Sequence, residues 1–234
     1  MSAEAFRVLA KRAARRYPKS DRFARHFAYF KLTGDPAFRH LLESGLLAGR
    51  ERLLDLGCGQ GMLEALLAAV REDAAAWPSG WPPPPDPRSV RGIELDPRAA
   101  GRARSAADER TTIDRDDIRT AAFGEADAIV ILDVLHYIEP AAQDAVLERA
   151  AAALARGGVL LLRVADAKPT LRFRVTIAID RLSLRLRGGR PGRYHCRPLE
   201  DWKRRLAQVG FRIEARPMSA GTPFANVLLV GHLA

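Results

Sequence analysis

Three glycines at alternate positions, Gly57, Gly59 and Gly61, end the segment Leu54-Asp55-Leu56-Gly57-Cys58-Gly59-Gln60-Gly61. A glycine turn of this kind bends the backbone sharply and lets a ligand approach it closely. The spacing is G-x-G-x-G followed by Met62, not the G-x-G-x-x-G of a nicotinamide or flavin fingerprint. A lone glycine turn says little, so its weight comes from a partner. Glu94, in Gly92-Ile93-Glu94-Leu95-Asp96-Pro97, ends the next apolar run, where a carboxylate can accept hydrogen bonds from both hydroxyls of a ribose. It follows Gly61 by 33 residues rather than the usual separation of about 20, and a Pro-rich stretch accounts for most of the excess. The plain alternative is a structural strand-to-helix turn with a surface acid nearby.

A second group lies in Leu132-Asp133-Val134-Leu135-His136-Tyr137-Ile138. His136 can take a proton near neutral pH, Tyr137 can orient a substrate, and Asp133 can hold either one. The competing reading is that His136 only packs. Tyr194 and His195, in Arg193-Tyr194-His195-Cys196-Arg197, form a third group on the substrate side, or else a solvated basic loop. Arg163 and Asp166 can face the same pocket. The two cysteines, Cys58 and Cys196, form no C-x-x-C pair, so neither a disulfide framework nor a metal site is expected and a reducing cytoplasm is.

Elements must position these groups. Helices are expected over 3–16, 21–31 and from Pro36 to about Leu47, forming an N-terminal helical cap over 1–49. From 50 to 234, strands at 52–56, 90–95, 111–113, 128–132 and 159–164 alternate with helices at 62–72, 97–109 and from Pro140 to a stop at Gly157-Gly158. This is the pattern of an α/β, Rossmann-like, mostly parallel sheet with helices on both faces. A helix at 199–209 precedes closing strands at 211–216 and 226–230. Nine residues, PMSAGTPFA, separate that last pair, too few for a parallel crossover, so the pair is antiparallel. Residues 77–89 are a Pro-rich insertion loop whose core is WPSGWPPPPDPR.

The basic insertion at 167–198 reads two ways. Residues 171–180 alternate as a strand does, and 171–187 also fit a helix, the favoured reading. In the helix Leu171, Val175, Ile179, Leu182 and Leu186 share a face, Arg174, Arg181 and Arg185 form a stripe beside it, and Phe173, Ile177 and Leu184 fall on a second face. Two apolar faces suit a lid over a greasy substrate, or contact with a membrane surface or a carrier protein. The net charge of +10 favours acidic partners, and only Lys11, Lys19, Lys31, Lys168 and Lys203 among 38 basic residues are not arginine. Of 234 residues 47% are hydrophobic and 28% charged, which argues against disorder. Neither a spanning segment nor a secretory leader is expected.

The acid-x-G-x-G-x-G pattern from Asp55 to Gly61, followed by Glu94, resembles the class I S-adenosylmethionine-dependent methyltransferases. The resemblance implies a seven-stranded sheet with a reversed last strand. It implies that Gly57, Gly59 and Gly61, with Cys58 in the same turn, line the methionine and ribose of the cofactor and that Asp55 lies near its amino group. Glu94 then holds the ribose hydroxyls, and Leu95 touches the adenine. Asp117-Ile118 gives adenine a carboxylate and a backbone N–H, with Asp116 as an alternative acid and a turn or helix cap as the structural reading of Asp117. Leu132 lies against the cofactor by its backbone. Asp133-Val134-Leu135-His136 is not the Asn/Asp-Pro-Pro-aromatic tetrad of base amino-methylating enzymes, and aromatic residues are not interleaved with the basic ones, so nucleic acid is the weaker reading. A cofactor-binding module without turnover is a further alternative. More narrowly, WPPPP before GIEL, VILDVLHYIEP, RPLEDW and PMSAGTPFANVLLV look like methyltransferases of bacterial aryl-polyene and xanthomonadin-type pigment gene clusters. That implies a phenolic or polyene acid, free or on an acidic acyl carrier protein, as acceptor.

Overall fold

The computed structural model describes residues 2–186 and 192–233. Its strands are β1 (Arg52–Leu56), β2 (Ser89–Glu94), β3 (Thr111–Arg115), β4 (Ala126–Leu132), β5 (Leu154–Ala165), β6 (Phe211–Pro217) and β7 (Asn226–Leu233). They form one seven-stranded sheet in the order β3-β2-β1-β4-β5-β7-β6. The helices around it are α1 (Ser2–Arg16), α2 (Arg22–Gly34), α3 (Pro36–Glu43), α4 (Met62–Glu72), α5 (Pro97–Ala106), α6 (Pro140–Ala153), α7 (Leu171–Leu186) and α8 (Leu199–Gln208). Backbone contacts divide the chain into two compact units, Met1–Val130 and Ile131–Ala234, with the boundary inside β4.

In the first unit β1 pairs in parallel with β2 and with β4, and β2 with β3. The apolar run of β1 is buried from Leu53 to Leu56, as a strand covered on both faces requires. Helix α1 packs on α4 and buries Phe6, Leu9, Ala10 and Ala13, and Tyr17 just beyond it is buried too. Asp21 and Asp96 cap α2 and α5 by accepting N–H groups of Ala24 and Ala99, and Pro97 fits the first turn of α5 because its missing donor is not needed there. The Pro-rich loop packs through its tryptophans: Trp77 Nε1–H donates to the Pro82 carbonyl at 3.0 Å, and Trp81 lies 6.4 Å from the Phe6 ring.

In the second unit β7 pairs antiparallel with both β5 and β6, so the reversed strand is the last one and it sits between them. The short connection had predicted the antiparallel β6–β7 pair; that β7 also pairs with β5 is a non-local fact.

Several boundaries differ from expectation. Helix α3 stops at Glu43 rather than near Leu47, because Gly45 turns left-handed (φ +70°) and a Cβ there would lie 2.9 Å from Pro82 Cβ. Helix α5 ends at Ala106, where Arg16 donates to the Ala106 and Ala107 carbonyls. Helix α6 ends at Ala153, not at Gly157-Gly158. Those glycines instead bend the start of β5: Gly157 has φ +75°, and a Cβ on Gly158 would fall 2.7 Å from Leu154 Cγ. Residues 171–186 form a helix, α7, so the strand alternative is excluded; Arg187 lies outside the described residues.

Candidate functional site

The glycine turn follows β1 and opens α4. Gly57, Gly59 and Gly61 all have positive φ, at 76°, 60° and 79°, a region nearly closed to residues with a Cβ. The N–H groups of Gly57 and Cys58 both donate to the Ile93 carbonyl, at 2.8 and 3.2 Å, which straps the turn to β2. Gly59 N–H then donates to Glu94 Oε2 at 2.9 Å, and Asp96 N–H donates to Glu94 Oε1 at 2.8 Å. Glu94 therefore joins the turn to the cap of α5. A Cβ on Gly59 would meet nothing within 4 Å, whereas one on Gly61 would lie 2.8 Å from Ala103 Cβ. The middle glycine leaves open space above the turn, and the last lets α4 and α5 approach.

The remaining expected cofactor residues of this unit divide by exposure. Leu95 is exposed beside Glu94, while Ile118 is buried. Asp117 forks onto Arg119, with Nε at 2.9 and 3.0 Å from its two oxygens, and also accepts Arg119 N–H at 2.9 Å. The Arg119 guanidinium holds its carboxyl below the usual range, so the turn-forming reading of Asp117 is realised in the structure. Asp116 accepts Asp117 N–H at 2.7 Å. The Cys58 thiol points into a core cluster with Ala100, Ala103 and Ile113, where burial raises its pKa.

Asp55 is buried and faces Glu64, an acid of α4 that sequence reasoning passed over. Burial, then the charges of Glu64 and Glu94, raise the Asp55 pKa well above the carboxylate range. Burial pushes Glu64 up to about 7. Both Glu64 oxygens are buried without a hydrogen-bond partner in geometry among the described residues, and a proton held between the two carboxyls would serve both acids. Space for it comes from β2: a Cβ on Gly92 would lie 2.8 Å from Glu64 Oε1 and from Cys58 Sγ. The available signal was a single acid among the apolar residues of MLEALLAAV.

The cap reaches the same turn. Buried Tyr17 donates its hydroxyl to the Gln60 carbonyl at 2.9 Å, and Gln60 Nε2 donates to the Ala24 carbonyl of α2 at 3.1 Å. On α2, Ala24, Ala28 and Leu32 are buried, while Phe23 and Phe30 are exposed and Phe23 stacks on Phe27 at 5.7 Å.

In the second unit Leu132 ends β4, half-buried, and Asp133 follows with φ +59°, a left-handed conformation costing about 1–2 kcal/mol for a residue with a Cβ. Fully buried Arg163 on β5 holds it there: its Nε donates to Asp133 Oδ1 at 2.9 Å, Nη2 meets Oδ2, and its carbonyl accepts Asp133 N–H at 3.3 Å. Asp133 was expected to hold His136 or Tyr137; its carboxylate is instead taken by Arg163. That role falls to Asp180 of α7, which the sequence reading missed although it is the one acid in 167–198.

Asp180 Oδ2 accepts the Tyr137 hydroxyl at 2.7 Å and lies 3.5 Å from His136 Nε2. His136 stacks on Tyr194 at 5.3 Å and 12°, and its carbonyl accepts His195 N–H at 2.8 Å. The Arg181 guanidinium lies 5.2 Å over the Tyr194 ring. Burial alone would raise the Asp180 pKa, but the polar side chains of His136, Tyr194 and Tyr137 around it outweigh that and hold the acid ionised below the usual range. His136 Nε2 is buried without a hydrogen-bond partner among the described residues. Buried Gln143 fixes the loop by donating to the carbonyls of Leu135, Ile138 and His195 at 2.7–3.0 Å. Asp166 accepts Leu199 N–H at 3.0 Å and so caps α8. The structure thus gathers His136, Tyr137 and Tyr194 around one acid, with His195 joined through its backbone.

Known proteins bear on this geometry. A family model described as a methyltransferase domain matches residues 5–216. The carboxy-S-adenosyl-L-methionine synthase of Chromohalobacter salexigens is 34% identical over 128 residues, which cover 50% of this chain and 43% of that protein. An O-methyltransferase family protein from Burkholderia thailandensis superposes with a TM-score of 0.63 at 19% identity, covering 92% of this chain and 61% of that one. The magnesium protoporphyrin IX methyltransferase of Synechocystis PCC 6803, solved with bound SAH, gives 0.60 at 20% identity, covering 92% and 89%. These structural likenesses are likenesses of fold, and the chain spans less than two thirds of the first two relatives. With the family model matching from the cap into β6, the chain belongs to the methyltransferase-domain family.

Proposed function

We propose that this protein transfers a methyl group from S-adenosylmethionine to a hydroxyl of an apolar small or carrier-bound acceptor. The observation that carries the donor half is the glycine turn clamped to Glu94, with open space above Gly59. Glu94 would accept hydrogen bonds from the ribose hydroxyls, the glycine turn lets the cofactor approach the backbone closely, and exposed Leu95 offers an apolar surface to the base. The cofactor, when bound, supplies an electrophilic methyl on a sulfonium. Because Asp117 is engaged by Arg119, adenine recognition through its carboxylate needs that pair to open or to be shared.

The acceptor half rests on His136. With Nε2 turned to an ionised carboxylate 3.5 Å away, the other ring nitrogen of His136 is the one that would take a proton from an acceptor hydroxyl. Asp180 then stabilises the imidazolium, while the Tyr137 hydroxyl keeps Asp180 in place. Exposed Phe23 and Phe30, with half-buried Phe27 between them on α2, the helix held to the glycine turn by Gln60, suit an aromatic or polyene acceptor, in keeping with the resemblance to pigment-cluster enzymes.

The test is methyl-labelled donor with a panel of phenolic and polyene acids, free and as carrier thioesters. Donor affinity is expected in the micromolar range, about −8 kcal/mol. Glu94→Ala should weaken it by about 1–3 kcal/mol in calorimetry. His136→Ala should leave donor affinity unchanged and lower turnover about 100-fold or more. Label in RNA instead of the organic extract would assign nucleic-acid methylation. Donor binding with no product from the panel or a lysate would assign a binding module.

A further inference from the structure

We propose that the outer face of α7 binds an anionic lipid surface. The helix has two unlike sides. On one side Phe173, Ile177 and Asp180 are half-buried, Asp180 accepts the Tyr137 hydroxyl, and Thr176 on the adjoining edge accepts Ala225 N–H at 3.0 Å. The opposite side carries Leu171, Ile179 and Leu182, which are 76%, 42% and 56% exposed, with half-buried Val175 between them. At 100° per residue these four fall within an arc of about 80°. Three large aliphatic side chains exposed along one arc of a helix are costly in water and gain by entering an apolar phase.

The charges around the arc select the occupant. Arg172 borders it on one side, and Arg174, Arg181 and Arg185 border it on the other. Arg172, Arg174 and Arg185 are exposed and make no ion pair with a described residue. The arc itself contains no charge, and the one acid of the helix, Asp180, lies on the inner side. An apolar centre with arginines on both flanks is the arrangement of a helix lying in the plane of a bilayer interface, its aliphatic groups among acyl chains and its guanidiniums reaching the headgroup phosphates. An acidic protein would be met by cations distributed over the contact, not excluded from its centre. The chain's net charge of +10 adds attraction to an anionic leaflet. Among the described residues no helix is long and apolar enough to cross a membrane, so the contact is with one leaflet.

The full chain would be sedimented with vesicles of phosphatidylcholine alone and of phosphatidylcholine with phosphatidylglycerol. Binding is expected only to the anionic vesicles and should weaken as salt rises. Leu182→Glu with Ile179→Glu should lower partitioning about ten-fold or more, since a charge replaces each inserted side chain. Arg172→Ala, Arg174→Ala and Arg185→Ala should each lower it about five-fold. Circular dichroism and S-adenosylmethionine affinity of each variant establish that it is folded, and they are independent of any turnover. Wild-type protein left in the supernatant, or a double glutamate variant bound as tightly as wild type, would overturn the proposal. So would a dimer that the double variant dissociates, which gives the face to a second copy. Capture by an acidic acyl carrier protein without vesicle binding would also overturn it.

Discussion

Glu64 shows what one side chain can do to a whole chain's pH response. Its ordinary pKa is 4.5 and burial lifts it to about 7 in the fold. A raised acid binds more protons in the folded state than in the unfolded one between those two values. Its favourable contribution is therefore complete below about pH 4.5 and is lost as pH rises towards 7. Asp55, raised by burial and by the neighbouring carboxyls, acts in the same direction. Glu64→Gln keeps the shape and removes the titration. Urea midpoints at pH 5 and pH 8 should show wild type losing on the order of 2–3 kcal/mol relative to this variant as pH rises. Parallel pH profiles for the two proteins would mean that the pair is ionised at both ends of the range. The glycines and Glu94 are legible in sequence because their types and order are tied to backbone geometry. Glu64 and Asp180 are not: an acid within a helix reads as a solvated residue until the sheet or the loop that covers it is known. Asp133 was legible as a position and misread as a partner, because Arg163 is 30 residues away in the chain.

Between elements, the chief dependence is that of the glycine turn on the cap. Tyr17, just beyond α1, and Ala24 of α2 hold the two ends of Gln60, which lies between Gly59 and Gly61. Tyr17→Phe leaves a buried Gln60 carbonyl without its donor. Stability should fall by about 1–3 kcal/mol in thermal unfolding, and donor affinity should fall with it because the turn is loosened. Unchanged donor affinity in a destabilised variant would confine Tyr17 to packing. The helix and strand identities of this region follow from periodicity and capping residues. Of the boundaries that moved, α3 stops where Gly45 turns against distant Pro82, and α6 stops before Gly157 turns left-handed and Gly158 packs against Leu154. No local pattern distinguishes a glycine that ends a helix from one that bends the strand after it.

At the scale of the molecule, the cap belongs to the core. Phe6, Leu9, Ala13 and Tyr17 are buried, and Arg12 reaches Asp73 at 2.6 Å beyond the end of α4. A chain cut to residues 50–234 should lose its cooperative thermal transition and bind a hydrophobic dye, since α4 is uncovered along its apolar side. A soluble fragment that melts cooperatively near the full-length temperature would make the cap an appendage. The sequence by itself determined the sheet class, the antiparallel closing pair, the glycine turn and its distant acid, because each follows from short-range spacing and backbone sterics. Only the tertiary structure decided that β7 pairs with β5 as well as β6, that Asp55 and Glu64 share a burial site, and that Asp180 rather than Asp133 stands beside His136. Those outcomes depend on which distant groups share a low-dielectric space, and chain order does not encode that separation.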